Sequence, residues 1–284
     1  MKIGLIKLDG KLTNIALEKI KLYHEQKGDN VKFISELEAV CYDKVYCSSI
    51  FSFTNKNYIR NDWICGGTGF DLSVKLPPEI ENMKPKINVG FTTRGCIRNC
   101  EFCIVPKAEG KIRVVGDIYD FWDGESKDII LYDNNILALP KHFDFICGQI
   151  KKENLRVDFN QGLDCRLLTE KICQKLSELR HKEYHFAFDD VAYEINVRKA
   201  IELLKKYGIK RSTWYVLIGF NTDFENDYYR INLLRDNNQN VYVQRYNNLP
   251  LEQKKNELYS WAMQKHIFHT HTFEKYCKIR NCKL

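Results

Sequence analysis

The sequence lacks the long hydrophobic runs that membrane insertion requires. No stretch approaches the ~20 apolar residues of a transmembrane helix. The opening segment MKIGLIKLDGK reaches charged residues too early for the apolar region of a signal peptide. These absences argue against an integral membrane protein, and they predict a cytoplasmic chain with no membrane partner. Its 44% hydrophobic and 29% charged residues are ordinary for a soluble globular protein.

A regular cysteine pattern is also missing. The eleven cysteines are an odd number at irregular intervals, which argues against a disulfide framework, as does a reducing cytoplasm. We therefore expect some cysteines to ligate a metal or a cluster and most to be ordinary packing residues.

The excess of positive charge is moderate, at a formal net charge of +7. Such a surface permits an anionic partner, such as RNA or a phosphorylated metabolite, but does not require one. Nucleic acid therefore remains one candidate partner among others.

The first 76 residues alternate between strand-like and helix-like patterns. Short apolar runs predict strands, and periodic apolar residues predict a helix that ends at Gly28. Because such alternation implies a parallel sheet, we predict a small Rossmann-like α/β module over residues 1–76. A glycine-rich loop, residues 66–69, follows the last strand, where parallel sheets bind ligands. The predicted strands are residues 2–7, 31–34, 44–47 and 63–65, and the predicted helix is residues 14–27.

A proline-containing break predicts a linker over residues 77–86. Strands and helices alternate again over residues 87–250, which predicts a partial (β/α)6 barrel with its site at the C-terminal strand ends. Residues 251–284 are predicted to form a helical extension. The predicted barrel strands are residues 87–91, 128–132, 156–159, 185–188, 214–218 and 241–244, and the clearest helices are residues 169–180, 193–207 and 252–264.

The decisive motif is a cysteine triad directly after the first predicted barrel strand. Cys96, Cys100 and Cys103 have C-x3-C-x2-C spacing. Three thiolates on one loop can ligate three irons of a cubane cluster and leave the fourth iron open to a small molecule. The alternatives are three packing cysteines that coincide in a loop, or a zinc site. Zinc usually takes a fourth protein ligand, and no Cys or His follows at short range.

The stretch GFTTRGCIRNCEFCIVPKAEG resembles the cluster loop of the radical S-adenosylmethionine (SAM) superfamily. Within that superfamily, its sequence is similar to the cluster loop of the methylthiotransferase branch. The resemblance implies a [4Fe–4S] cluster whose open iron chelates SAM. It also implies reductive cleavage to a 5′-deoxyadenosyl radical and a flavodoxin- or ferredoxin-type reductant. Phe102, just before the third cysteine, matches a family position near the adenine. The superfamily hosts very many reactions, so the resemblance does not specify the substrate.

Polar residues follow the next predicted barrel strand. Asn134 and Asn135 stand where the family contacts the SAM amino group through Gly-Gly-Glu, a motif that is absent here. The resemblance transfers that contact to the two asparagines. The alternative is an asparagine-rich turn.

Two further strand ends carry charged residues. Gln161, Asp164 and Arg166 are predicted to bind SAM or substrate, although a solvent-facing turn with an ion pair explains them equally well. Asp189, followed by a second aspartate, could bind ribose or substrate, although a helix N-cap would account for one of the two.

The segment YVLIGFN resembles the family's fifth-strand motif near the adenine, with its first glycine replaced. The resemblance implies cofactor contacts from Ile218, Gly219 and Asn221. Arg245, at the end of the sixth strand, would bind an anionic group or pair with a carboxylate.

The front module resembles the cobalamin-binding-like module that precedes the barrel in a subclass of the family. Base-off cobalamin domains carry Asp-x-His-x-x-Gly after the first strand, whereas Asp9 is followed by Gly10 and Lys11. We therefore do not expect cobalamin, although some family members bind it without that histidine. Without it, the module caps the barrel or contacts the substrate.

The remaining cysteines suggest an auxiliary cluster only weakly. Cys277 and Cys282 follow three histidines, but two cysteines fall short of the three or four that clusters use. Cys41, Cys47 and Cys65 lie on or beside predicted strands, which favours core packing.

The resemblance covers nearly the whole chain, and it predicts a radical SAM enzyme that acts on an unknown substrate. One alternative is an RNA-modifying, methylthiotransferase-like enzyme. Another is a non-catalytic Fe–S protein that senses SAM or redox state while binding nucleic acid. A zinc-binding structural module is the third.

Overall fold

The computed structural model describes residues 1–282, and it begins with a small α/β unit. The strands of this unit are all parallel, in the order β2-β1-β3-β4, as the alternating pattern predicts. The side chain of Asn14 accepts from the Leu17 amide and so caps the first helix. The elements are β1 (Lys2–Lys7), α1 (Ile15–Gln26), β2 (Asn30–Phe33), β3 (Lys44–Ser48), β4 (Ile64–Gly66) and α2 (Pro78–Glu81).

The two faces of this sheet bury different residues, because successive side chains of a strand point to opposite faces. Ile3 and Leu5 pack with α1 on one face, whereas Ile6 packs with Trp63 on the other. Ile80 of α2 is buried in the cluster beside α1. Within the predicted linker 77–86, the prolines thus start a helical turn, Pro78–Glu81, that packs on the core of the front module.

A second set of strands forms two parallel sheets. One has the order β10-β9-β8-β5 and the other β11-β12-β13, and a parallel bridge between Leu163 and Phe186 connects them. Each of the six predicted barrel strands is present, and the protein is a mixed α/β protein with parallel sheets. The elements are β5 (Val89–Gly90), β6 (Thr93–Arg94), α3 (Val105–Ala108), β7 (Arg113–Val114), β8 (Asp128–Leu131), α4 (Pro140–Lys152), β9 (Arg156–Phe159), α5 (Glu170–Ser177), β10 (Arg180–His181), β11 (His185–Ala187), α6 (Glu194–Lys206), β12 (Thr213–Ile218), α7 (Phe224–Asp236) and β13 (Asn240–Arg245).

Short strands account for the main departures from the predicted elements. The helix predicted over residues 169–180 ends at Ser177, and Arg180 and His181 form β10 against β9. An antiparallel pair, β6 and β7, was not predicted at all. Two-residue strands carry no measurable periodicity, so a sequence pattern cannot reveal them. The β6–β7 pair brings together the two ends of the loop that holds the cysteine triad.

The C-terminal helices pack onto the second set of strands. Trp261, Phe268 and Phe273 are buried in the same hydrophobic core as the inward residues of α7 and β13. The predicted helix over residues 252–264 is observed as α8, somewhat shorter. None of the helices in residues 1–282 combines the length and the apolar composition that crossing a membrane would need. The elements are α8 (Gln253–Ala262), α9 (Lys265–Thr270) and α10 (Phe273–Arg280).

Candidate functional site at the cysteine loop

The two ends of the cysteine loop, residues 95–112, are fixed against each other. Gly95 has a φ of +84°, and a Cβ there would lie 2.4 Å from the carbonyl oxygen of Lys111. Only glycine fits this close approach without strain. The carboxylate of Glu109, near the far end, accepts from the Gly95 amide at 2.8 Å. The loop is therefore closed on itself.

The three loop cysteines, Cys96, Cys100 and Cys103, are half-buried. The Sγ atom of Cys96 accepts from the backbone amide of Arg98 at 3.3 Å and from Nδ2 of Asn135 at 3.5 Å. Burial raises the pKa of Cys100 and of Cys103, and the charges of the neighbouring thiols raise both further. In residues 1–282, no three His, Cys, Asp or Glu side chains surround the position of a single metal ion.

A buried carboxylate links the loop to the strand ends. Asp164, whose side chain is 6% exposed, accepts from Nε of Arg98 at 2.8 Å and from Nε of Arg166 at 2.7 Å. Nδ2 of Asn135 also lies 3.3 Å from the Asp164 carboxylate. Burial alone would raise the pKa of Asp164, but the two guanidinium groups outweigh it and lower the pKa. Asp164 is therefore held as an anion at this site.

Three of the predicted residues, Asn135, Asp164 and Arg166, thus meet beside Cys96. Asp164 and Arg166 do form the ion pair that a solvent-facing turn would also contain, but the carboxylate is buried and is shared with the cysteine loop. Arg98 was not among the predicted site residues. Its position between two of the cysteines was the available signal, because a cation there would lie beside any anionic group that the loop binds.

The polar turn after β8 is fixed by hydrogen bonds to neighbouring segments. Asn134 donates to the carboxylate of Glu109 at 2.9 Å, which ties the turn to the cysteine loop. Asn135 is buried, and its Oδ1 has no hydrogen-bond partner among the described residues. The preceding Asp133, which the sequence analysis did not select, accepts from the amides and hydroxyls of Thr92 and Thr93. Asp133 therefore anchors the turn to the chain just ahead of the cysteine loop.

The two adjacent aspartates after β11 have separate roles. Asp190 caps the following helical turn, which accounts for the N-cap expected of one of them. Asp189 instead accepts from the Leu217 amide of β12 at 2.8 Å. Its negative charge contributes to raising the pKa of Cys100, so it lies within electrostatic reach of the cysteine loop. Burial raises the pKa of Asp189 itself to about 6.

Aromatic rings connect the cysteine loop to the end of β12. The ring of Phe102 meets that of Phe220 edge-on, with centroids 5.7 Å apart, and Phe220 lies 4.8 Å from Tyr246. Gly219, just before Phe220, has a φ of +80°. The side chain of Ile218 is buried in the hydrophobic core, so only its backbone is available to a ligand. Phe220 and Tyr246 were not predicted, although each lies two residues after the end of a predicted strand.

Three predicted residues stand apart from this set of contacts. Gln161 and Asn221 are exposed, and neither side chain forms a hydrogen bond with another residue in 1–282. The guanidinium of Arg245 lies over the ring of Tyr259, 5.0 Å from its centroid. Arg245 therefore packs on an aromatic ring of α8.

The glycines of the glycine-rich loop in the front module pack closely against a neighbouring loop. A Cβ on Gly67 would lie 2.4 Å from the carbonyl oxygen of Ser49, and one on Gly69 would lie 2.5 Å from that of Phe51. The carboxylate of Asp9, just after β1, accepts hydrogen bonds from the hydroxyls of Ser49 and Thr54 and from the backbone amides of Ile50 and Phe51. The glycines therefore serve the fit of two loops.

The remaining cysteines divide between core and surface. Cys47 and Cys277 are buried, and burial raises the pKa of each thiol, with a further rise from one neighbouring thiol, that of Cys65 and of Cys282 respectively. Cys41 is exposed at the end of the helical turn Glu36–Cys41, so the core position predicted for it is wrong. A strand-adjacent position does not ensure burial when a helical turn carries the residue outward.

Neither a protein-family model nor a curated protein matches this chain.

Proposed function

We propose that this protein is a radical SAM enzyme, with a [4Fe–4S] cluster on Cys96, Cys100 and Cys103 and a partial (β/α)6 barrel as its scaffold. One observation carries the proposal. Asn135, from the end of β8, donates both to the sulfur of Cys96 and to Asp164, and Asp164 pairs with Arg98 of the cysteine loop. Soft sulfur donors, a fixed anion and a cation thus adjoin at the C-terminal strand ends, where α/β folds place ligands.

The donor set suits an iron–sulfur cluster. Thiolates are the ligands that these clusters take, and hydrogen bonds to sulfur tune them. The backbone amide of Arg98 and the amide of Asn135 already donate to Cys96. Each thiolate of a cubane ligates a different iron, so the three sulfurs do not need to converge on one point as they would for zinc.

When bound, the cluster would supply the electron that cleaves SAM to a 5′-deoxyadenosyl radical, which abstracts hydrogen from a substrate. The residues of this chain would bind and orient SAM. Asn134, Asn135 and Asp164 offer carbonyl and carboxylate oxygens to its ammonium group, and Arg166 offers a guanidinium to its carboxylate. Phe102 and Gly219 adjoin the aromatic cluster where the adenine would lie. Contacts from Gln161, Asp189, Ile218 and Asn221 stay part of this proposal.

An electron donor of the flavodoxin or ferredoxin type is part of the same proposal. Ile97, directly after Cys96, and Ile104, directly after Cys103, are 50% and 43% exposed. Exposed apolar residues beside a redox centre suit the small, transient contacts of electron-transfer partners.

The test is anaerobic reconstitution of the full chain, followed by iron counting and assay of 5′-deoxyadenosine after addition of SAM and dithionite. We expect about four irons per chain, as a cubane requires, together with 5′-deoxyadenosine. Cys96→Ala should lose most of the iron and at least 100-fold of the SAM cleavage, because a thiolate ligand is removed. Cys41→Ala is the matched control, since that thiol is exposed and distant in sequence from the loop.

The outcomes separate the candidate functions. Iron without SAM cleavage would favour an Fe–S sensor over an enzyme. Zinc in place of iron, or equal iron in the Cys96→Ala and Cys41→Ala variants, would refute the proposal.

A further inference from the structure

A second group of polar and aromatic residues lies on the strands, away from the cysteine loop. Asp158 of β9, His185 of β11, Tyr215 of β12 and Tyr242 of β13 share one property. Their neighbours along each strand, such as Val157 and Phe159 beside Asp158, belong to the hydrophobic core beneath the helices. Since strand side chains alternate, these four residues lie on the sheet face opposite the helices. We call them the inner-face group.

Two atoms of the inner-face group are buried without a hydrogen-bond partner among the described residues, namely Oδ1 of Asp158 and Nδ1 of His185. They face each other at 3.6 Å, and among residues 1–282 the only other ion pair of Asp158 is with Lys182 at 3.9 Å. Leaving buried polar atoms unpaired destabilises the folded state, so native proteins pair nearly all of them. A ligand with hydrogen-bond donors would satisfy Asp158.

The direction of the pKa shift of Asp158 is consistent with a carboxyl group that has few hydrogen-bond donors around it. Burial raises the pKa of its carboxyl, and the charges of His185 and Lys182 oppose that rise without cancelling it. Asp164, which has two guanidinium partners, shows the opposite shift.

The aromatic members of the inner-face group form a wall of rings that pack against one another. The rings of His185 and Tyr215 are stacked, with centroids 5.4 Å apart and planes within 3°. Tyr242 meets Tyr215 edge-on at 5.8 Å and is 47% exposed, so the wall opens to solvent at that end. The hydroxyl of Tyr215 donates to the carbonyl of Asn160 at 2.7 Å, which holds the wall under the turn that leads to Asp164. Planar rings bind to such walls by stacking.

We infer that the inner-face group binds a planar heteroaromatic ring with two adjacent N–H donors, as on the guanine edge, with Asp158 accepting from those donors and the His185–Tyr215 wall stacking on the ring. A carboxylate offers two oxygens side by side, which match two parallel N–H groups. The net charge of +7 suits a phosphorylated nucleoside. That this ring belongs to the enzyme's substrate rests on the proposed function, whereas its binding does not.

The test compares guanosine monophosphate with inosine monophosphate, which lacks the exocyclic amino group. Binding is measured by calorimetry on the reconstituted full chain with saturating SAM, so that the candidate SAM site is filled. We expect guanosine monophosphate to bind at least 10-fold more tightly, since a hydrogen bond to a charged group is worth that factor. Asp158→Asn should abolish this preference. Asp128→Asn, on the neighbouring strand and exposed, should retain it.

A second variant and a second source of the ring complete the experiment. Tyr242→Leu, at the exposed end of the wall, should weaken both nucleotides roughly 5-fold through lost stacking. A guanosine-containing RNA hexamer that binds more tightly than the free nucleotide would assign the ring to RNA, and the reverse would assign it to a metabolite. Equal affinity for the two monophosphates, or a preference that survives Asp158→Asn, would overturn the inference. SAM cleavage assayed in the same samples distinguishes that result from failure of the proposed function.

Discussion

The cysteine loop and the glycine-rich loop of the front module occupy comparable places, and they differ in what is left unsatisfied. Each follows the end of a strand, the antiparallel β6 and the parallel β4 respectively, and contains a glycine at positive φ: Gly95 at +84° and Gly67 at +97°. In the front module, Asp9 is satisfied by neutral donors of one neighbouring loop, and the glycines serve packing. At the cysteine loop, cations, a carboxylate and thiols from separate elements adjoin, and Oδ1 of Asn135 remains unpaired.

This difference shows that a strand-end position and glycine content do not make a site. A loop whose polar groups all bond within one module has nothing left for a ligand. A loop whose charged groups come from several elements fixes these groups in position while some of their hydrogen-bonding capacity stays unused. Such preorganisation favours ligand binding.

The largest expected effect comes from exchanging one aspartate in each region. Asp164→Asn leaves two guanidinium groups without their anion, and we expect 5′-deoxyadenosine formation to fall about 10- to 100-fold, as for loss of a charge-assisted hydrogen bond. Asp9→Asn should instead lower the free energy of unfolding by about 1–2 kcal/mol with SAM cleavage unchanged. Both quantities are measured on both variants. The comparison fails if Asp9→Asn impairs SAM cleavage as strongly as Asp164→Asn.

A smaller effect is expected in the pH dependence of stability. The pKa of Asp189 is raised by burial from 3.8 to about 6, so the folded state binds this proton more tightly than the unfolded state. Its contribution to stability is present below pH 3.8 and is lost as the pH rises through about 6. Asp189→Asn should remove this dependence, which is worth about 1–3 kcal/mol between pH 4 and 7.

In the same experiment, Asp9 is expected to change stability in a different pH range and in the opposite direction. Burial would raise its pKa, but hydrogen bonds from the hydroxyls of Ser49 and Thr54 and from the backbone amides of Ile50 and Phe51 together outweigh burial and lower the pKa. The stability contributed by Asp9 is therefore present above pH 3.8 and is lost as the pH falls through its lower, folded-state pKa. Denaturant unfolding at a series of pH values checks both aspartates. Equal slopes for the wild-type chain and Asp189→Asn between pH 4 and 7 would contradict the assignment.

The smallest effect concerns the aromatic rings of the two regions. Phe102→Leu removes the edge-on contact with Phe220, which is worth about 0.5–1.5 kcal/mol, and should weaken SAM binding roughly 2- to 10-fold. Phe53, stacked on Phe51 at 5.0 Å in the front module, provides the matched control. Phe53→Leu should leave SAM affinity unchanged when both variants are titrated with SAM by calorimetry. A larger loss for Phe53→Leu would place the adenine elsewhere.

Much of the fold was predictable because its strands and helices carry strong periodic patterns. The strand Lys2–Lys7 and the helices Ile15–Gln26 and Glu194–Lys206 lie within a residue or two of their predicted ranges. The pair β6–β7 was not predictable, because two-residue strands are stabilised by partners distant in sequence. The helical turn at Pro78–Glu81 was read as a linker because its prolines conceal a start signal that only the burial of Ile80 reveals.

The candidate site divides in the same way. The spacing of Cys96, Cys100 and Cys103, and the proposal that they hold a cluster, came from the sequence, because thiol ligands on one loop are a local property. The convergence of Arg98, Asn135 and Asp164 required the tertiary structure, because these residues are up to 66 positions apart in the chain. Only the fold decides which polar groups are satisfied by neighbours distant in sequence, as Asp9 is by residues 49–54, and which remain available to a ligand, as Asp158 does on the inner face of the sheet.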